Sequence, residues 1–174
     1  MGERRRILIG MGIGSLATGL VILAGPILQW LPVQPANFEE RAPIWAVSAA
    51  LPLMWLAIAI ARVAQQRFSN DEDLDPLMGR ATARITSLNQ QLQNTLEQAV
   101  LAIGAYSIWS VLASAEWGNL TLWCAVLFSV GRLLFFIGYA NGAANRALGF
   151  ALTFYPTIGL ILCSVWAGYL QVAG

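Results

Sequence analysis

The chain has 174 residues, 57% of them hydrophobic and 11% charged, with a net charge of +1. Soluble domains carry about 25% charged residues, so this composition excludes a chain that covers its own surface with polar groups, and it points to lipid as the solvent. The near-neutral charge gives no footprint for nucleic acid, and the absence of histidine excludes a Ser-His-Asp triad and a His-based metal site.

Crossing ~30 Å of hydrocarbon takes about 20 helical residues, and a helix satisfies its own backbone there. Five apolar runs meet that demand. The first, Ile7 to Leu31, follows Glu3-Arg4-Arg5-Arg6. That start is signal-like, but the run is too long for a signal core and reads as a retained span. Its Gly10 and Gly14 either let another helix approach closely or are a chance cluster of small residues. The second run is Ala42 to Ala61. The acidic stretch Ser69 to Pro76 then reads as a solvated linker.

The third run, Ala99 to Ala115, extends backwards. Ile85, Leu88, Leu92 and Leu96 form one stripe of a helix, with Gln90, Asn94 and Glu97 opposite. Neither Pro nor Gly interrupts Ala81 to Ile103, so one helix of about 50 Å is predicted from Ala81 to Ala115. The fourth run, Leu120 to Ala140, contains a single charge, Arg132, and the fifth spans Ala147 to Gln171. Pro26, Pro52 and Pro156 fall inside spans, where kinks are expected. Cys124 and Cys163 lie in apolar runs and read as buried thiols. The fold class is therefore all-α, a transmembrane helix bundle.

Alternating spans with a cytoplasmic N-terminus put Arg4, Arg5, Arg6, Arg62, Arg67, Arg80, Arg84 and Arg146 inside and only Arg41 outside. This is the positive-inside bias. The same topology sends Trp30, Trp45 and Trp117 to the outer boundary, where aromatic belts form. A bacterial inner membrane is the expected location.

Two charges stand out. Glu97 begins the third span, and Arg132 lies roughly 12 Å inside the fourth at ~1.5 Å per residue. Intramembrane charges face the bundle or a wet cavity. Arg132, Phe135, Phe136 and Tyr139 share a helix face. Spacing leaves two readings open: a Glu97–Arg132 ion pair that locks two helices, or a cytoplasm-facing polar pocket for a charged ligand. In the second, Arg132 and Arg146 favour anionic groups, and Glu97 and Asn94 suit an amine or amide.

The stretch Asn94-Thr95-Leu96-Glu97, together with Gly131-Arg132 through Gly138-Tyr139-Ala140-Asn141-Gly142 to Arg146, resembles the MAPEG family of membrane-associated proteins in eicosanoid and glutathione metabolism. The resemblance covers roughly Pro43 to the C-terminus. It implies a four-helix core, residues 42–174, assembled as a homotrimer with glutathione as cosubstrate between subunits. Residues 1–41 would add one further span. By position, Asn94 and Glu97 would hold the glutathione backbone and amino group, Arg132 a carboxylate, and Tyr139 the peptide, with Arg146 stabilising the thiolate. Gln90 stands where well-known members have Arg, Phe135 where a Tyr is expected, and Gln98 where a Tyr is common. Gln90 thus enters the binding set with a carboxylate partner weakened.

The resemblance implies a glutathione-dependent transferase or peroxidase for hydrophobic electrophiles or lipid hydroperoxides arriving from the bilayer, along Leu133, Phe136 and Phe150. A non-catalytic lipid- or partner-binding relative is the alternative, favoured by Gln90 and Phe135. A helical subunit of a transport or assembly complex is the third reading; the lack of a series of ionisable residues through the membrane weighs against it.

Overall fold

The computed structural model describes residues 2–24, 27, 37–75 and 81–174. Helix α1 is Glu3–Ala24, α2 Phe38–Ser69, α3 the single turn Asp71–Leu74, α4 Ala83–Leu112, α5 Leu120–Gly138 and α6 Ala143–Ala173, with 3₁₀ turns at Ala115–Trp117 and Tyr139–Asn141. No strand occurs among the described residues. All five expected spans are helices long and apolar enough to cross a membrane. The part of the first run beyond Ala24, with Trp30 and Pro26, lies outside the described residues save Ile27, as does Arg80.

α4 forms as one unbroken helix of about 45 Å, starting two residues later than expected. Thr82 is its N-cap, its hydroxyl accepting from the Ile85 N–H at 3.2 Å. Pro52 and Pro156 sit fully buried inside helices that continue past them. Both cysteines are free, Cys124 buried and Cys163 half-buried.

Side-chain pairs fix the helix directions. Arg41 with Ser110, Trp45 with Ser107 and Arg62 with Gln91 make α2 and α4 antiparallel. Ser48 with Thr121 and Arg62 with Phe136 make α2 and α5 parallel. The arginines of α1, the end of α2, the start of α4 and the start of α6 therefore share one end of the bundle, while Arg41, Trp45 and Trp117 share the other. The core between is built largely of small and aromatic residues, among them Ala99, Ala102, Ala105, Tyr106, Trp109, Cys124 and Phe128.

α5 and α6 touch backbone to backbone. A Cβ on Gly131 would lie 2.8 Å from the Gly149 carbonyl oxygen, and one on Gly149 would collide with the Phe135 backbone nitrogen. Gly142, at φ +92°, makes the turn that joins them. α1 lies parallel along α6: a Cβ on Gly10 would meet the Leu148 nitrogen at 3.0 Å, and one on Gly14 would strike the Ala151 methyl. The expected small-residue contact of α1 is thus real.

The acidic stretch is not a simple solvated linker. Asp73 is buried and ties α2 to α4, accepting from Gln66 Nε2 (2.8 Å), the Thr82 N–H (2.9 Å), the Thr82 hydroxyl (2.8 Å) and Asn70 Nδ2 (3.3 Å). Burial pushes this carboxyl up, but the bonds from Gln66 and Thr82 outweigh it and hold it below its ordinary range. A depressed carboxyl stabilises the fold above its unfolded value, about pH 4, and that contribution is lost as pH falls through the lower folded value. Asp73→Asn is expected to lower the unfolding temperature at neutral pH and to flatten its decline below about pH 4, read by thermal unfolding in detergent across pH. An unchanged acid limb would show that Asp73 carries no part of it.

Candidate functional site

Arg132 decides the geometry. Its guanidinium is wholly enclosed: Nη1 donates to Asn94 Oδ1 (3.0 Å) and Thr95 Oγ1 (3.3 Å), and Nη2 to Thr153 Oγ1 (2.7 Å). The Phe135 ring covers one face at 4.4 Å and the Phe128 ring stands at 5.7 Å. Nε has no partner. Close approach at Gly131 and Gly149 is what brings Thr153 of α6 to Arg132 of α5.

The Glu97–Arg132 ion pair does not form. Glu97 is exposed on α4 and accepts from Gln93 Nε2 at 2.9 Å, one turn back. Arg132 has no carboxylate partner among the described residues. An enclosed cation without a counter-ion is costly in a low-dielectric interior. Neutral oxygens and aromatic faces offset part of that cost.

The second half of the site lies at the arginine-rich end. Arg146 stacks its guanidinium on the Tyr139 ring, 4.5 Å from the centroid. The Tyr139 hydroxyl donates to Gln90 Oε1 at 3.1 Å, and Phe135 meets Tyr139 edge-on at 5.2 Å. Arg146 and Tyr139 line a recess of about 360 Å³ with Asn94, Phe135, Phe150 and, from α1, Ile7 and Met11. A shallower polar groove of about 540 Å³ runs along α4 past Gln90, Gln93 and Glu97. Asn94 lines both recesses.

The polar residues singled out for ligand binding fall in one neighbourhood: Asn94, Tyr139 and Arg146 on the recess, Gln90 and Glu97 on the adjoining groove. Arg132 is set one layer behind, in contact with Asn94 and covered by Phe135. Leu133 faces outward, Phe136 packs on Trp55 and Arg62, and only Phe150 of that trio walls the recess.

Thr95 and Thr153 were not foreseen as partners of Arg132. The signal for Thr95 was the seam Gln91, Thr95, Gln98 on α4, spaced by four and three and buried throughout; Thr153 on α6 had none. A larger recess of about 660 Å³ between α2 and α4, lined by Arg62, Arg84, Gln66 and Gln91, holds none of the foreseen residues. Among the described residues no group of His, Cys, Asp or Glu could hold a metal ion.

The model of the MAPEG family matches residues 42–166. The chain belongs to the MAPEG family. It is thus a multi-pass membrane protein of a family tied to glutathione and eicosanoid metabolism. No curated protein matches the chain. The matched MAPEG region begins in α2, so α1 lies before it. The N-x-x-E pair and the Arg132, Tyr139, Arg146 series are inside it.

Proposed function

We propose that this MAPEG protein is a glutathione-dependent transferase or peroxidase acting on hydrophobic electrophiles or lipid hydroperoxides. The observation that carries this reading is Arg146: a guanidinium braced on Tyr139, without a carboxylate partner among the described residues, facing a recess it shares with Asn94. A fixed cation beside a thiol lowers the thiol pKa, and the thiolate is the nucleophile.

Glutathione fits the donor set. Asn94 offers an amide that Arg132 polarises, Glu97 takes the amino group, and Tyr139 lies along the peptide. Gln90, bonded to Tyr139, orients that ring. In transfer, the thiolate sulfur bonds the electrophilic carbon while the leaving group departs with the electron pair and takes a proton; with an unsaturated aldehyde the pair moves instead onto the carbonyl oxygen as an enolate, which takes the proton. With a hydroperoxide, the thiolate attacks the terminal oxygen and the O–O bond breaks, releasing an alcohol after protonation. A second glutathione then displaces water from the sulfenic acid and forms the disulfide.

The exposed groove along α4 suits completion by a neighbouring subunit in a homotrimer. The arginine-rich end is assigned to the cytoplasm, in keeping with the positive-inside bias. A non-catalytic relative that binds a lipid or partner is the second reading, favoured by Phe135 sealing Arg132 without a hydroxyl. Titrating the detergent-purified protein with glutathione separates the two. Saturable thiolate absorbance near neutral pH is expected, and its absence at millimolar glutathione would overturn the enzyme reading in favour of the second.

A further inference from the structure

The recess beside Arg146 is not closed by the family-matched region alone. Two of its lining residues, Ile7 and Met11, come from α1, which precedes the matched residues 42–166. They are one helical turn apart on the seam that continues through Gly10, Gly14 and Thr18, the face by which α1 packs on α6. Arg6 fastens the near end of α1, donating to Asn145 Oδ1 at 2.9 Å next to Arg146. The small residues Gly10 and Gly14 let the α1 backbone come close enough for Ile7 and Met11 to reach the recess. The opposite face of α1, with Leu8, Leu16 and Leu20, is exposed as a lipid-facing surface should be.

We propose that α1 is the bilayer-side wall of the acceptor pocket, and that Ile7 and Met11 set the size of the hydrophobic molecule admitted beside Arg146. The substrate-selecting role rests on the enzyme reading above; the wall itself does not. Met11 is a flexible, unbranched side chain, and shortening it opens the recess toward Phe150. A pocket wall discriminates by roughly tenfold or more per methylene.

The test uses the full chain in detergent or nanodiscs. A homologous series of 2-alkenals of rising chain length is assayed with wild type, Met11→Ala and Ile7→Ala, with thiolate absorbance at saturating glutathione as the control for an assembled site. The expected result is that kcat/KM for the longest aldehydes rises about tenfold relative to the shortest. An unchanged profile with the thiolate present would overturn the selecting role while leaving the enzyme reading intact.

A second arm needs no turnover. Phe150→Cys is alkylated by a bulky bilayer-soluble maleimide, in a Cys124→Ser, Cys163→Ser background, with and without Gly14→Leu, which wedges α1 off Ala151. Labelling at least tenfold faster with the wedge is expected. Equal rates would show that α1 does not wall the recess, whatever the thiolate titration gives.

Discussion

Replacing Arg146 by Ala is expected to lower kcat/KM by about 10²–10³-fold, the range for losing one preorganised charge-stabilising group. The thiolate signal should vanish at neutral pH, with its midpoint returning toward the ordinary thiol value near 8.5. The fold should survive. Arg146 is half-buried at the start of α6, and its contact with Tyr139 is of the kind worth about 0.5–1 kcal/mol at an exposed site. Thermal unfolding and oligomeric state measured beside the kinetics make the result decisive. Lost turnover with an unchanged unfolding temperature assigns Arg146 to the chemistry. Equal losses of both would make it a structural residue. Arg146→Lys keeps the charge without the planar group that stacks on Tyr139, so it should fall between wild type and Ala.

A large stability effect is expected at Gly149. A methyl group there runs into backbone atoms of α5: the Phe135 nitrogen, and the Gly131 oxygen and Phe135 Cα at 2.7 Å each. Backbone cannot rotate aside as a side-chain tip can, so the helices must separate. Separation loosens the Thr153–Arg132 bond and uncovers the most deeply enclosed charge of the bundle. Gly149→Ala should destabilise by about 3 kcal/mol, the upper end for overpacking. Gly104→Ala is the matched control: its Cβ meets nothing, and in mid-helix the change should be neutral or stabilising by up to about 1 kcal/mol. Unfolding of both variants in one detergent checks the pair. Similar values for the two would show that the α5–α6 contact is not close in the protein.

The spans were legible because a charge-free run long enough to cross a bilayer has few alternatives. Their polar ends were not. α2 runs on to Ser69 and α6 begins at Ala143, since Gln, Arg and Asn sustain a helix in water as well as end one. The leucine stripe of α4 was only half right. Ile85 and Leu88 are buried, but Leu96 is 40% exposed while Thr95 is fully enclosed. Within lipid an outward leucine has no cost, so the apolar face ceases to mark the core and the small polar residues mark it instead. The site was legible as a set because α4, α5 and α6 carry it at helical spacings. The state of Arg132 was not, because spacing cannot tell an ion pair from a guanidinium held by Asn94, Thr95 and Thr153. Asp73 was missed because an acidic run reads the same whether its carboxylates meet water or backbone.

The pairing of α1 with α6 has a consequence for biogenesis. Arg6 and Asn145 are 139 residues apart in sequence, and the face that receives Gly10 and Gly14 lies on α6, made after the other described helices. During translation α1 therefore enters the membrane with no partner for its glycine seam. It must remain parked, in lipid or against the insertion machinery, until α6 arrives. Arg146 and Phe150 also belong to α6, so the recess beside Arg146 takes shape only once that helix has joined the bundle.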